Sequence, residues 1–566
     1  MIEGLVLGVP PGVLLVLAAV PTVWLPRRLS QALMLLLPIV GLGHVIALPD
    51  LHSQSMEAFG YELQIVRVDA LARIFGGVFH LAAFMGVLYA LHVRDRLQGA
   101  AALVYMGSAI AAVFAGDLLT LFVWWELTAI SSVLLVWARR TESARRAGMR
   151  YLLMQVASGL LLLAGSILLY RERGTLAFGQ IGVESAAGWL LLVAFGIKAA
   201  FPLVHGWMKD AYPEATVTGT VFLSAFTTKL AIYALARGFA GSEILIPIGA
   251  TMAIFPIFFA VIESDLRRVL CYSLNNQLGF MVVGIGIGTE LALNGAVAHV
   301  YASAVYQTLL FMAMGAVLLR AGTVESSELG GLYKSMPWTT GFCVVGAASI
   351  SAFPMTSGFV TKSMILSAAG HGHEPLLFLA LLFASAGALY HSGIKVPFFA
   401  FFGPDRGVRV KEAPWNMLAA MGIASFLSIG LGIFPGSLYR MLPHPVDYEP
   451  YTPTHVMTVL QLLLFSALAF VGLMKAGLYP KERRSTVLDV DWTYRRLLPR
   501  LWRLFGEQGS SLQDRLLGVA KGMRRSLLDV GEAHLSPWTR FGEPWPTGAT
   551  AMWAALLLLA YLYLAY

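Results

Sequence analysis

The chain has 566 residues, of which 57% are hydrophobic and 13% charged, and its mean hydropathy is +0.71. A soluble globular domain carries about 25% charged residues, so the composition excludes a water-soluble fold and makes lipid the main solvent. The formal net charge of +8 does not point to nucleic acid, because the basic residues sit in short loops between apolar runs, where the positive-inside rule places them.

Apolar runs of about twenty residues recur along the chain, and each is long enough to span a bilayer as a helix. The period-two alternation of a membrane barrel is absent. No cleavable leader is expected, since MIEGLVLGVPPG has an early acidic residue and no small-residue cleavage site. The pattern predicts an all-α polytopic membrane protein with about sixteen transmembrane helices. They fall near 4–24, 30–49, 70–92, 100–115, 118–138, 150–170, 187–208, 215–238, 243–262, 270–288, 293–320, 338–370, 376–402, 415–436, 457–478 and 547–566. Alternate loops collect the basic residues: Arg27 and Arg28, Arg94 and Arg96, Arg139 to Arg146, Arg267 and Arg268, and Arg406 to Lys411. That side is expected to be cytoplasmic, with the N-terminus on the other side of an inner membrane.

An ionisable side chain at mid-helix costs roughly 2.5–3.5 kcal/mol on insertion scales, so each one in these spans needs a partner, water or a function. The fifth span holds Glu126. The seventh holds Lys198, then Pro202 and His205 in IKAAFPLVHGW. Lys229 lies in the eighth and His299 in the eleventh. The twelfth repeats the Ala-Phe-Pro sequence in SISAFPMTSGF, with Pro354, and Lys362 follows. Lys395 lies in the thirteenth. Proline removes a helix hydrogen bond, and two such interruptions in matching surroundings point to a transporter with internal repeats and paired helix breaks. Glu126 and Lys198 are candidates for an ion pair that opens and closes. Burial lowers a lysine's proton affinity and a nearby carboxylate raises it, so moving the acid releases a proton. His205 and His299 are candidate relays, with satisfied core histidines as the alternative. Lys395 is either on the path or a residue whose ammonium reaches the cytoplasmic end.

Cys271 and Cys343 belong to no CxxC or Cys/His cluster, so neither a metal site, nor a cofactor, nor a disulfide framework is expected. No Rossmann fingerprint, P-loop or catalytic triad occurs either, and any redox chemistry must belong to partners. Residues 480–545, with YPKERRSTVLDVDWTYRRLLPRLWRLF, are too charged to span and read as an amphipathic segment on the cytoplasmic face.

WWELTAISSVLLV, IKAAFPLVHGWMKDAYPEATVTG, FLSAFTTKLAIYAL, DLRRVLCYSLNNQLGFM and FPMTSGFVTKSMIL resemble the antiporter-like subunits of respiratory complex I and of Mrp-type multisubunit Na+/H+ antiporters, above all the D-type subunit. The resemblance covers about residues 60–440. It implies two inverted five-helix repeats, each with a broken helix, and a charged midplane axis through Glu126, Lys198, Lys229 and Lys362. It also implies partners: other membrane subunits, protons with sodium as the alternative, and lipid. The expected organisation is N-terminal helices (1–99), first repeat (100–240), second repeat (241–403), further helices (404–479), the amphipathic segment (480–545) and a last helix (546–566). Many members carry His-x3-His-x3-Lys on the eleventh helix. Here His299 is followed by Ser303 and Gln307 in the other two positions, which questions the link between the half-channels. The tail resembles those that brace neighbouring subunits. Two rival readings remain: a docking subunit that conducts nothing, and a proton-coupled subunit of a bicarbonate uptake complex.

Overall fold

A computed structural model of the chain describes residues 9–58, 60–371, 375–479, 487–490 and 492–501. Its elements, in chain order, are α1 (Val13–Trp24), α2 (Arg27–Ala47), β1 (Ser53–Ala58), β2 (Tyr61–Arg67), α3 (Ala70–Ala90), α4 (Arg96–Val113), α5 (Leu118–Trp137), α6 (Glu142–Arg173), α7 (Ala186–Lys198), α8 (Gly206–Ala211), α9 (Val217–Ala225) and α10 (Thr227–Gly238). Then come α11 (Leu245–Ile262), α12 (Leu266–Ile287), α13 (Glu290–Ala321), α14 (Pro337–Ile350), α15 (Ser357–His371), α16 (Pro375–Ala388), α17 (Lys395–Pro397), α18 (Trp415–Ile433), α19 (Gly436–Tyr439) and α20 (Pro453–Lys475).

Twelve helical stretches among the described residues are long and apolar enough to cross a membrane, counting α9 with α10 and Pro375–Phe402 as one each. The fifteen spans expected before residue 479 each coincide with a helix or an interrupted pair of helices. The sixteenth, 547–566, lies outside the described residues, as does most of 480–545. Residues 487–490 are extended or turning, and a helix follows over 492–501. The chain divides into one unit ending at Asp489 and a second beginning at Val490.

Local chemistry explains the helix starts. Asp69, Asp95, Asp117, Thr141, Ser185, Thr216, Asp265, Thr289 and Thr452 each accept a hydrogen bond from a first-turn amide, satisfying donors that would otherwise be stranded in lipid. One element went unforeseen: the antiparallel hairpin β1–β2, paired from Ser53–Arg67 to Ala58–Tyr61. It is a short polar strand pair in a segment that apolar periodicity leaves blank.

The same run of local features occurs twice. Asp117 caps α5 and bridges to Ala177, and Asp265 caps α12 and bridges to Glu325. Each of these helices is followed, directly or after a short loop, by a 32-residue helix, α6 or α13, which a threonine starts and a glycine with positive φ ends. An apolar helix and a break come next. In both breaks two non-glycine residues have positive φ, Ala200 and Leu203 in the first, Ala352 and Met355 in the second. Such backbone costs about 1–3 kcal/mol per residue and persists where the surroundings impose it.

Burial separates centre from edge. The hydrophobic windows of α12 and α13 are 94% and 89% buried, that of α20 only 11%. Leu153, Leu160 and Ile167 of α6, and Leu464, Phe465 and Leu468 of α20, point outward, as side chains facing lipid do. Arg267 departs from the loop-charge reading. It is 1% exposed, and its guanidinium donates to the carbonyls of Pro213, Tyr212 and Ala215 and to Thr220. It ties the loop before α9 to α12 and is not a surface charge.

Candidate functional site

Among the described residues four lysines are fully buried: Lys198, Lys229, Lys362 and Lys395 are each 0–1% exposed. The partners of three of them follow one rule. Lys362 Nζ donates to Ile350 O, 2.7 Å away, at the C-terminal end of α14 where the second break begins. Lys395 Nζ lies 2.6 Å from both Val261 O and Glu263 O, at the end of α11. Lys229 Nζ donates to Ser224 O at 2.6 Å, beside the discontinuity at Phe226 that separates α9 from α10. Helix C-termini carry unpaired carbonyls and the negative end of the helix dipole. Interrupted helices thus hold three of the positive charges in the interior, as half-helix ends hold cations in transporters.

Lys198, at the last position of α7, reaches α5. Nζ is 3.0 Å from Trp125 O and 2.9 Å from Thr128 Oγ1, and 4.1 Å above the Trp125 ring. No ion pair joins it to Glu126, whose Oε1 is buried with no hydrogen-bond partner. That carboxylate lies against Gly159 of α6, where a Cβ would overlap Oε1. One turn earlier, the fully buried Gln155 has neither amide atom bonded.

The break between α9 and α10 has no proline. Thr227 N–H bonds to the Tyr105 hydroxyl at 3.0 Å in place of a carbonyl one turn back, and Tyr105 OH also lies 2.5 Å from Thr227 Oγ1. This break puts Lys229 at a helix end, which the apolar run VFLSAFTTKLAIYAL does not announce.

His299 joins a polar cluster between α12, α13 and α15. Nδ1 is 2.9 Å from Thr361 Oγ1 and Nε2 is 3.2 Å from Gln277 Oε1. The Tyr306 hydroxyl donates to the same Gln277 oxygen at 3.0 Å, and Gln277 Nε2 donates to Asn276 Oδ1 at 2.5 Å. Lys362, adjacent to Thr361, sits 5.0 Å from the Phe280 ring centre. Ser303 and Gln307 are both fully buried on α13. Gln307 Nε2 donates to Leu270 O at 2.9 Å, and its Oε1 has no partner. His391, also buried, is 2.8 Å from Ser392 Oγ. Sequence reasoning missed Gln277, Tyr306 and Thr361, because a neutral polar residue in an apolar helix reads as packing. The run Asn275-Asn276-Gln277 was the available signal.

His205 follows the first break. Its Nε2 is 3.0 Å from Asp489 Oδ2, which also takes Lys209 Nζ at 2.7 Å and the Tyr272 hydroxyl at 2.9 Å. Burial pushes the Asp489 carboxyl up, but the hydrogen bonds and charges of His205 and Lys209 outweigh it and hold the group well below the ordinary range. Pro202 and Pro354 sit within the two breaks, between the positive-φ pairs. Cys271 and Cys343 are free and buried.

Residues 115–387 match the transmembrane domain of the NADH:quinone oxidoreductase/Mrp antiporter family. The chain is similar to hydrogenase-4 component B of Escherichia coli K12, 26% identical over 439 residues, covering 69% of this chain and 65% of that protein. It is also similar to the D-type subunit of the Na+/H+ antiporter of Alkalihalophilus pseudofirmus, 29% identical over 315 residues, covering 52% of this chain and 64% of that one. It thus spans a little under two thirds of the length of these two curated relatives. A chain in the structure of the membrane-bound sulfane sulfur reductase, an archaeal respiratory membrane complex, shares the fold at a TM-score of 0.71 and 22% identity, over 98% of this chain and 100% of that one.

Proposed function

From a chain whose residues 115–387 match the transmembrane domain of the NADH:quinone oxidoreductase/Mrp antiporter family, we propose a multi-pass membrane subunit that translocates protons, or exchanges them for sodium, within a larger complex. The observation that carries this reading is the set of buried ammonium groups. Lys198, Lys229 and Lys362 lean on carbonyls and a hydroxyl, and none forms an ion pair among the described residues. A docking scaffold has no use for charges this costly. An ammonium held only by neutral oxygens keeps both protonation states within reach, which is what a relay requires.

The proposed path starts at Glu126 and Lys198, continues through Lys229, and reaches Lys362 by way of His299. Lys395 is its outlet, and His205 serves the first half. Residues 100–240 and 241–403 are the two repeats, related by inversion, and Pro202 and Pro354 make their breaks. The remaining proposed units are the helices 1–99 and 404–479, the cytoplasmic-face segment 480–545 and the closing helix 546–566. The protein belongs in the inner membrane with its N-terminus on the non-cytoplasmic side, beside other membrane subunits.

The test uses the intact complex in inverted membrane vesicles. Sodium-dependent and respiration-driven pH gradients are recorded for wild type, Glu126→Ala and Lys229→Ala, with complex abundance checked in each. Loss of transport at normal abundance is expected. Unchanged transport in both variants would leave the docking-subunit reading standing.

A further inference from the structure

Among the described residues, the tail of the first unit makes a deep contact with the transmembrane core. In residues 487–490, Leu488 is 65% exposed while Asp489 is 5% exposed, and the Asp489 side chain is fully enclosed. We infer that Asp489 is a positioning residue of the ion path: it enters from the tail, binds His205 and Lys209 at the first break, and fixes which nitrogen of the His205 ring faces the interior. This rests on the transport reading above.

The geometry is that of a counter-ion. Among the described residues, three donors converge on one carboxylate oxygen, from His205 at the break, Lys209 on α8 and Tyr272 on α12. The first break and the helix that opens the second set of repeated features are therefore tied through a residue more than two hundred positions away in sequence. The other faces of the site are aromatic. The Phe255 ring is 4.6 Å from the His205 ring, and Phe259 stacks on Tyr272 at 5.6 Å. Among the described residues, the groups at this site are the Asp489 carboxylate, the Lys209 ammonium and the Tyr272 phenol, with Phe255 contributed by α11. His205 Nδ1 is buried and has no partner. With Nε2 held by Asp489, Nδ1 is the nitrogen free to exchange a proton with the interior.

The second break differs. Aligned on the shared Ala-Phe-Pro, Ser357 takes the place of His205 and Thr361 that of Lys209. The Ser357 hydroxyl is satisfied by Ser349 at 3.0 Å, so nothing there calls for a carboxylate. The counter-ion therefore goes with the half that carries the titratable pair.

A carboxylate favours the imidazolium and the neighbouring ammonium opposes it. Replacing Asp489 with asparagine removes that carboxylate from His205 and Lys209 and keeps the size of the side chain. In the intact complex, Asp489→Asn is expected to move the acid limb of the transport–pH profile to lower pH by about one pH unit or more, and Asp489→Glu to restore most of it. A thermal-stability cycle of Asp489→Asn, Lys209→Met and the double variant reads the contact independently of transport. Removing both partners should recover stability lost in Asp489→Asn. A coupled cycle with an unmoved pH profile would show that Asp489 only tacks the tail down and would overturn the inference, as would an uncoupled cycle. Absence of any transport in wild-type vesicles would sink the transport reading, and this inference with it.

Discussion

Lys198 on α7 binds Thr128 on α5, Nζ to Oγ1 at 2.9 Å, and so stands beside Glu126 without pairing with it. The ammonium rests on the residues that flank the acid in sequence, Trp125 and Thr128. The acid keeps Oε1 unpartnered against Gly159. On the proposed path the lysine would alternate between the hydroxyl, where it now rests, and the carboxylate, moving charge across the first half.

Thr128→Val removes the hydroxyl without changing the shape of the side chain. A hydrogen bond to a charged group contributes about 1.5–3 kcal/mol, so the balance should tip toward the Glu126–Lys198 pair. Transport in vesicles is expected to fall about tenfold or more at unchanged complex abundance. Thr128→Ser should behave like wild type. Equal rates in the valine and serine variants would show that the Thr128 contact does not control the lysine.

Gly159→Ala tests the other half of that relationship. A Cβ there overlaps Glu126 Oε1, so the carboxylate must leave its place, at a cost of about 1–3 kcal/mol. Transport should drop sharply. Adding Glu126→Asp shortens the acid by one methylene and should recover part of the loss, giving a non-additive cycle. Strict additivity in the measured rates would separate the glycine from the acid.

Lys395 closes the end of α11 by bonding Val261 O and Glu263 O, whereas Lys362 caps a single carbonyl, Ile350 O. Buried acceptors stripped of their donor cost about 1–3 kcal/mol each. Lys395→Met should therefore lower the Tm of the detergent-solubilised complex more than Lys362→Met does, while Lys362→Met should have the larger effect on transport. The reverse order in Tm would mean that the α11 carbonyls find other donors.

Acid should loosen the tail contact. The Asp489 carboxyl is held below its ordinary range by His205 and Lys209, so its contribution to stability is fully present above the unfolded carboxylate range, near pH 4. It declines as pH falls below that range toward the lower folded value. Tm measured down through that range should fall more steeply in wild type than in the Lys209→Met, Asp489→Asn double variant. Parallel curves would contradict the ion pair.

The sequence exposes charge and proline better than it exposes partners. Pro202 and Pro354 announce their breaks because proline cannot continue a helix ladder, and Lys198, Lys229 and Lys362 stand out against apolar neighbours. The break at Phe226 has neither proline nor glycine and depends on Tyr105, over a hundred residues away, so nothing local marks it. The carbonyls of Ser224 and Ile350 belong to the backbone and have no signature in composition. Asp489 misleads in the opposite direction. An acid in an arginine-rich stretch reads as a solvated surface group, and only the fold brings it to His205.

On the proposed path, Gln307 is where conduction through the second half is tested. It takes the position of the family's lysine, yet it is fully buried, with one amide end on Leu270 O and an oxygen that has no protein partner. An amide does not titrate, but it can donate and accept at once, so on the proposed path it would pass a proton along without storing charge. Gln307→Leu removes both functions at similar volume and should reduce transport about tenfold or more, the cost of one buried polar contact. Gln307→Lys retains a donor for Leu270 O and should keep assembly, with transport recovered relative to the leucine variant. Wild-type rates in Gln307→Leu would place the ion's exit before α13 and confine conduction to the first half, leaving His299 and its glutamine–tyrosine cluster as a structural knot.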